Sequence, residues 1–273
     1  VSAWLDLGPL FIVELLALGA VTGFLAGMLG VGGGMMMVPF MTFLLSQRGV
    51  EGGMAVKMAI ATSMATILFT SLSSVRAHHA RGAVRWDLLR TLAPGIVLGG
   101  LLAGAGVFAV LQGRALAAFF ALFIGWSALN MLRNRQPRPG RQMPGPLGQT
   151  AAGGLIGFIS GLLGAGGAFM SVPFMTWCNV PIRQAVGTSA ALGFPVAAAS
   201  VVGYGVGGWG LPPALPGAVG YLYLPALFII AAASVMLAPW GARAAHRMDV
   251  AVLKRFFACL LLGLAAYMAT RAF

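Results

Sequence analysis

The chain has 273 residues, 59% of them hydrophobic and only 8% charged, with a mean hydropathy of +0.93. That composition excludes an ordinary soluble domain and is that of an integral membrane protein. Lys and Arg number 17 against 5 Asp and Glu, a net charge of +12, but the bases lie between apolar runs. Loops held on the cytoplasmic side by the positive-inside rule account for them, and no nucleic-acid partner is expected. Cys178 and Cys259 have no ligand-like neighbours, so neither a metal site nor a disulfide is expected and no cofactor is called for. The first residues, VSAWLDLGP, carry no basic stretch or cleavage pattern, so no signal peptide is expected there.

In chain order, apolar segments run 9–46, 55–75, 88–111, 115–132, 149–178, 185–205, 218–240 and 252–270. Six have about the ~20 residues of a single crossing. The other two are longer, and each is broken by glycines. Residues 23–42, GFLAGMLGVGGGMMMVPFMT, return at 157–176 as GFISGLLGAGGAFMSVPFMT. Gly23, Gly27, Gly30, Gly32, Gly33 and Pro39 are answered by Gly157, Gly161, Gly164, Gly166, Gly167 and Pro173. A glycine cluster inside an apolar run interrupts a helix and bares backbone groups that lipid cannot satisfy. Such backbone belongs against protein or a water-filled site.

Charge fixes how the segments connect. Loops 76–90, 133–148 and 241–255 are basic, with Arg76, Arg81, Arg85 and Arg90 in the first, Arg133, Arg135, Arg138 and Arg141 in the second, and Arg243, Arg247, Lys254 and Arg255 in the third. Loop 206–217 has no charge. With the basic loops inside and the neutral one outside, 149–178 has to begin and end inside, and 9–46 has to begin and end outside. A single crossing at 149–178 would put the third basic loop outside. The expected fold is therefore all-α and membrane-integral, with two inverted-topology repeats, each a re-entrant helical hairpin plus three transmembrane helices. The first repeat is 1–132, with hairpin 9–46 and crossings 55–75, 88–111 and 115–132. A cytoplasmic linker, 133–148, rich in Pro, Gly and Arg, separates it from the second, 149–273, with hairpin 149–178 and crossings 185–205, 218–240 and 252–270. Both termini are expected outside. Ala61-Thr62-Ser63 is echoed by Gly187-Thr188-Ser189, and Phe119-Phe120-Ala121 by Phe256-Phe257-Ala258, whereas the glycine-rich third segment (Gly95, Gly99, Gly100, Gly104, Gly106) has only loose counterparts.

At each tip the second half-helix would turn its N terminus, with free N–H groups and the positive dipole end, toward the middle of the bilayer. That is an uncharged site suited to an anion. Gly30, Gly32, Gly33, Gly164, Gly166 and Gly167 would let a ligand approach the backbone, and Thr62, Ser63, Thr188 and Ser189 would add hydroxyl donors. The competing account of the glycines is close helix packing, which suits Gly23-x-x-x-Gly27 and Gly157-x-x-x-Gly161 best. The competing account of the hydroxyls is a bond to a carbonyl one turn back. Glu14, an acid within an apolar segment, is a candidate proton carrier but has no counterpart in the second repeat. Lys57 and Arg183 lie at segment edges, where they snorkel or gather anions, and His78 and His79 lie beside Arg76 and Arg81 on a solvated face. No nucleophile–base pair, metal-ligand cluster or phosphate loop with Lys is present.

The duplicated G-x-x-x-G-x-x-G-x-G-G-[GA] followed by VPF, the Ala61-Thr62-Ser63 and Gly187-Thr188-Ser189 triplets and the Ala77-His78-His79-Ala80-Arg81-Gly82 loop resemble the TauE/SafE family of sulfite exporters, also called the toluene sulfonate uptake permease family. The resemblance spans nearly the whole chain. It implies a secondary transporter of the cell inner membrane that moves a small inorganic or organosulfur anion without ATP, with sulfite export as the leading assignment and protons as a candidate coupling ion. Uptake of organosulfonates or thiosulfate-like anions and an anion channel are the alternatives, and a membrane enzyme using Cys178 is a more distant one. Ala168 stands where the first repeat has Gly34, which implies a less open second tip.

Overall fold

The computed structural model describes residues 7–29, 33–133, 140–245 and 250–272, with side chains described outside 28–29, 242–245 and 250–254. It is built of helices: α1 (Pro9–Leu29), α2 (Gly34–Gln47), α3 (Gly52–His79), α4 (Trp86–Leu101), α5 (Gly113–Leu132), α6 (Pro146–Leu163), α7 (Ala168–Trp177), α8 (Ile182–Gly207), α9 (Leu224–Ala245) and α10 (Val250–Thr270). Seven described helices are long and apolar enough to cross a membrane, so the chain is a multi-pass, all-α membrane protein. Helix α4 is prolonged by a π-helical stretch, Leu102–Val107, and a final turn, Phe108–Val110. The widened turn lies where Gly104 meets α8, a Cβ at Gly104 falling 2.8 Å from the Ser200 carbonyl oxygen.

Both glycine-broken segments are helix pairs that fold back on themselves. In the first, α1 stops before the glycine run and Gly33 returns against Thr22, two turns back; a Cβ at Gly33 would sit 2.7 Å from the Thr22 carbonyl oxygen. The far end of α2 comes home to the start of α1, where the Arg48 guanidinium lies 4.0 Å from the centre of the Phe11 ring. In the second, Gly167 returns against Ser160. The end of α7 meets the chain just ahead of α6, the N–H groups of Gly140 and Arg141 donating to the Trp177 carbonyl at 3.3 and 3.4 Å. Arg141 covers the Trp177 ring at 5.0 Å.

The mouth of the first pair lies beside the start of α3, and the loop that follows the end of α3 lies against the start of α8, beside the mouth of the second. Near the first mouth are Gly53 and Gly113, whose backbones touch, and Lys57, which donates to the Ala109 carbonyl at 3.1 Å and faces the Tyr221 ring. Lys57 is thus bound to the C-terminal end of the α4 extension, where the helix dipole favours a cation. Near the second mouth the start of α8 meets the loop before α4, a Cβ at Gly187 falling 2.5 Å from the Ala83 carbonyl oxygen.

Helices α3 and α8 form the centre, 61% of each spanning window being buried against 28% for the peripheral α5. The fold-back helices pack across the halves of the chain. Gly19, Gly23 and Gly27 of α1 face the backbone of Ile230, Ser234 and Ala238 in α9, and Gly153 and Gly157 of α6 face Leu92 and Ile96 in α4. A Cβ at Gly23 would stand 2.5 Å from the Ser234 carbonyl oxygen, so the small-residue reading of Gly23, Gly27 and Gly157 holds. Gly161 also packs, against Ala103. One expected span begins later than its sequence suggested. Residues Ala218–Val219 and Leu222–Tyr223 form a small antiparallel hairpin, turned by Gly220 at φ +55, and α9 starts only at Leu224. Its residues are apolar, which gave it the look of a crossing, but only Ala218, Tyr221 and Tyr223 are buried while Val219 is exposed.

Candidate functional site

The two glycine turns meet. Gly34, at the start of α2, is packed against the second turn so closely that a Cβ there would stand 2.6 Å from the Gly164 carbonyl oxygen and 3.1 Å from the Cα of Ala165. Gly164 in turn lies against Val38 of α2 and the backbone of Ile60 in α3. Gly34 was not among the expected ligand-approach glycines; its role here is to let two backbones touch. The signal was available in the glycine run itself, which extends one residue further in the first copy than in the second.

The local chemistry of the second turn follows from two left-handed residues. Gly164, at φ +67, ends α6, and Gly167, at φ +76, precedes α7; side chains rarely adopt such a backbone. Between them the Gly167 N–H bonds back to the Ala165 carbonyl at 2.8 Å, and the Gly167 carbonyl accepts the N–H groups of Met170 and Ser171 at 3.0 and 2.9 Å. The N–H groups of Ala168 and Phe169, first in α7, have no acceptor within the helix and face the turn. In the first turn Gly33 plays the same part for α2, its carbonyl accepting from Met36 and Met37 at 3.2 and 3.1 Å. Gly30 and Gly32 lie outside the described residues. Gly166 is buried, with Ile67 facing it.

All four candidate hydroxyl residues are buried, and none bonds to its own helix one turn back. Thr62 Oγ1 accepts the N–H of Tyr223 at 3.1 Å, and Thr188 Oγ1 accepts the N–H of Arg85 at 2.9 Å. Each therefore holds the chain just ahead of the third long helix of the other half. Ser63 Oγ donates to the Gly164 carbonyl at 3.0 Å, and Ser189 Oγ pairs with Ser171 Oγ at 2.7 Å. Self-bonding occurs elsewhere in these helices, as for Thr66 with the Thr62 carbonyl at 3.0 Å. Ser63, Gly33, Gly164, Gly166 and Gly167 thus gather at the meeting turns, and Ser189 joins them through Ser171. Thr62 and Thr188 anchor the entering loops.

Sequence reasoning passed over Ser160 and Ser171. Both stand in the second copy of the repeat where the first has Ala26 and Met37, a difference visible when the copies are laid side by side. Glu14 is half-buried and lines an apolar groove of about 560 Å³ between α1, α2 and α10, away from the turns, with Phe40, Phe43 and Tyr267. Among the described residues there is no group of three His, Cys, Asp or Glu able to hold a metal ion. The Arg85–Asp87 contact at 2.5 Å, outside the site, is the one ion pair among them.

The model of the family described as sulfite exporter TauE/SafE matches residues 15–268. The chain belongs to this family. A probable membrane transporter protein of Haemophilus influenzae is 35% identical, the match covering 94% of this chain and 98% of that protein. Probable membrane transporter proteins of Methanocaldococcus jannaschii, 26% identical over 64% of this chain and 65% of that protein, and of Bacillus subtilis, 27% identical over 65% and 72%, are further relatives. No solved structure matches the chain significantly. As a TauE/SafE family protein the chain is a membrane transporter, and a reaction centre is not part of what the family implies.

Proposed function

We propose that this TauE/SafE protein is a secondary transporter that exports a small sulfur oxyanion, sulfite foremost, across the cell inner membrane by alternating access. The observation that carries the reading is the contact of Gly34 with the Gly164–Ala165 backbone, because it joins two helix-starting turns at one buried place. Uncharged N–H and O–H donors at such a place attract an anion without the desolvation cost of a buried cation. Gly30, Gly32, Gly33, Gly164, Gly166 and Gly167 are the proposed backbone donors and close-approach positions, and Thr62, Ser63, Thr188 and Ser189 the proposed hydroxyl set.

In this reading the fold-back pairs are re-entrant hairpins of two inverted-topology repeats, 1–132 and 149–273, joined by a cytoplasmic linker. The support is the placement of the two mouths, marked by Arg48 with Phe11 and Arg141 with Trp177, the exchanged anchors at Thr62 and Thr188, and the charge-free loop 206–217. Both termini then lie on the outer side. Contact between the turns favours a gated carrier over a permanently conducting channel. Expelling an anion is aided by an inside-negative potential of ~2.3 kcal/mol per charge per 100 mV, so a proton is required chiefly if the flux runs inward.

Counterflow of labelled sulfite into proteoliposomes preloaded with unlabelled sulfite tests the assignment. Saturable exchange is expected. Absence of exchange with sulfite, together with exchange of an organosulfonate or thiosulfate, replaces the substrate; absence with every such anion removes the reading.

A further inference from the structure

The two glycine turns are near copies in sequence, but they are unequal in donors, and the inequality assigns the anion to one of them. Ser160 lies in the last turn of α6 and is fully buried. Unlike Thr22, Thr42, Thr66 and Thr176, it does not bond to a carbonyl of its own helix, and its Oγ has no hydrogen-bond partner at all among the described residues. A buried hydroxyl without a partner is costly and calls for an explanation, of which a missing ligand is one. The atom is directed at the start of α7: it lies 3.1 Å from where a Cβ of Gly167 would stand. Glycine at 167 therefore keeps a side chain off the Ser160 hydroxyl at the start of α7, in a place walled by Ile156 and Val196, whose methyl groups lie 3.3 and 3.6 Å from the same point.

The geometry points to a seat for a single oxyanion at this second turn, formed by the Ser160 hydroxyl and the N–H groups of Ala168 and Phe169, with the Ser171–Ser189 hydroxyl pair one turn further along. Among the described residues the first turn offers no equivalent hydroxyls. Ala26 and Met37 occupy the places of Ser160 and Ser171, and Met35, Met36 and Met37 are buried apolar packing. An anion with several oxygens presents enough acceptors for these donors at once. The two halves thus divide the work. The second turn binds, while the first, through Gly34, closes over the Gly164 side of the seat. This inference rests on the transporter reading and sharpens it, naming the side of the pseudo-symmetric centre that recognises the substrate.

The test compares wild type with Ser160→Ala, Ser160→Cys and Ala26→Ser in detergent micelles and proteoliposomes, using sodium sulfite as probe, with sulfate, thiosulfate and chloride as comparison anions. In Ser160→Ala the sulfite-dependent rise in Tm and the counterflow half-saturation should weaken by roughly tenfold or more, the scale of a hydrogen bond to a charged group. The anion-free Tm should stay equal or rise, because an unpartnered polar atom has been removed. Ser160→Cys, similar in size but a weak donor, should fall between, and Ala26→Ser should leave sulfite affinity within about twofold. Unchanged sulfite affinity in Ser160→Ala beside a responsive wild type overturns the seat and leaves the transporter reading standing. A lowered anion-free Tm with intact sulfite response assigns Ser160 to packing and likewise overturns it. A wild type that responds to none of these anions ends both readings.

Discussion

Ser63 in the third helix donates its hydroxyl to the carbonyl of Gly164, 101 positions later and 3.0 Å away, at the turn where the second fold-back pair reverses. One half of the chain thereby fixes the bend of the other. Without that donor the Gly164 carbonyl, which lies against Gly34 of α2, would be a buried acceptor stripped of the hydroxyl that satisfies it. Ser63→Ala should therefore cost about 1–3 kcal/mol, the range for stranding a buried polar group. Unfolding in mixed micelles measures it, and a neutral result would mean that the carbonyl has another donor.

Thr62 and Thr188 make the same bond in corresponding places, each accepting a backbone N–H from the segment that enters the third long helix of the other half. Valine keeps their shape and removes the acceptor. Thr62→Val and Thr188→Val should each destabilise by about 1–3 kcal/mol, and the double variant by nearly the sum, since the two sites share no partner. A severe loss at one site and none at the other would contradict their equivalence.

Glycine positions should separate cleanly by what surrounds them. Gly23→Ala would drive a methyl group to 2.5 Å from the Ser234 carbonyl oxygen, where the neighbour is helix backbone that has to shift. A loss of about 1–3 kcal/mol is expected, seen as lower Tm and poorer yield of folded protein. Gly106, in the π-helical stretch, has open space around it. Gly106→Ala should be neutral or stabilising by up to about 1 kcal/mol, because alanine is the better helix former.

Cys178 follows the last helical turn of α7 and is buried; burial pushes its thiol up, with the Arg141 guanidinium pulling part of the way back. The thiol is then protonated at neutral pH, and its thiolate appears only above the ordinary cysteine range of ~8.5. In a Cys259→Ala background, maleimide labelling should be slow at pH 7 and still be rising beyond pH 9. Cys178→Ala should leave sulfite counterflow near wild type; abolition of flux would revive an enzymatic role for this thiol.

Arg48 and Arg141 are exposed and mark the mouths of the two fold-back pairs. With both native cysteines replaced, Arg48→Cys should react with an impermeant thiol reagent only from the outer face and Arg141→Cys only from the inner face. Labelling of both from one face would remove the inverted-repeat reading.

Much of this organisation could be read before any coordinates. The breaks in the two long apolar segments fall where glycines cluster, while the lone Pro39 and Pro173 are carried inside helices, and the small-residue spacing at Gly23, Gly27 and Gly157 named its own packing role. What stayed hidden was the partner of each polar group. A threonine repeated at equivalent positions announces symmetry, but only the folded chain reveals that Thr62 serves Tyr223 and Thr188 serves Arg85. The hairpin at 218–223 reads in sequence as part of a crossing because its residues are as apolar as a helix, and period alone does not separate six such residues from the helix they precede. Ser160 was passed over for a different reason: attention to what the two copies share hides what only one of them has.

The glycine seams have a consequence for how this protein is made. The groove that receives Gly19, Gly23 and Gly27 exists only in residues 230–238, and the one that receives Gly153 and Gly157 only in residues 92–96. Translation therefore leaves the first seam without its counterpart until residues 230–238 have emerged, some two hundred positions after Gly27. Either half synthesised alone would present a bare furrow to the surrounding acyl chains, and co-expression of the two as separate polypeptides is the natural route to restoring both.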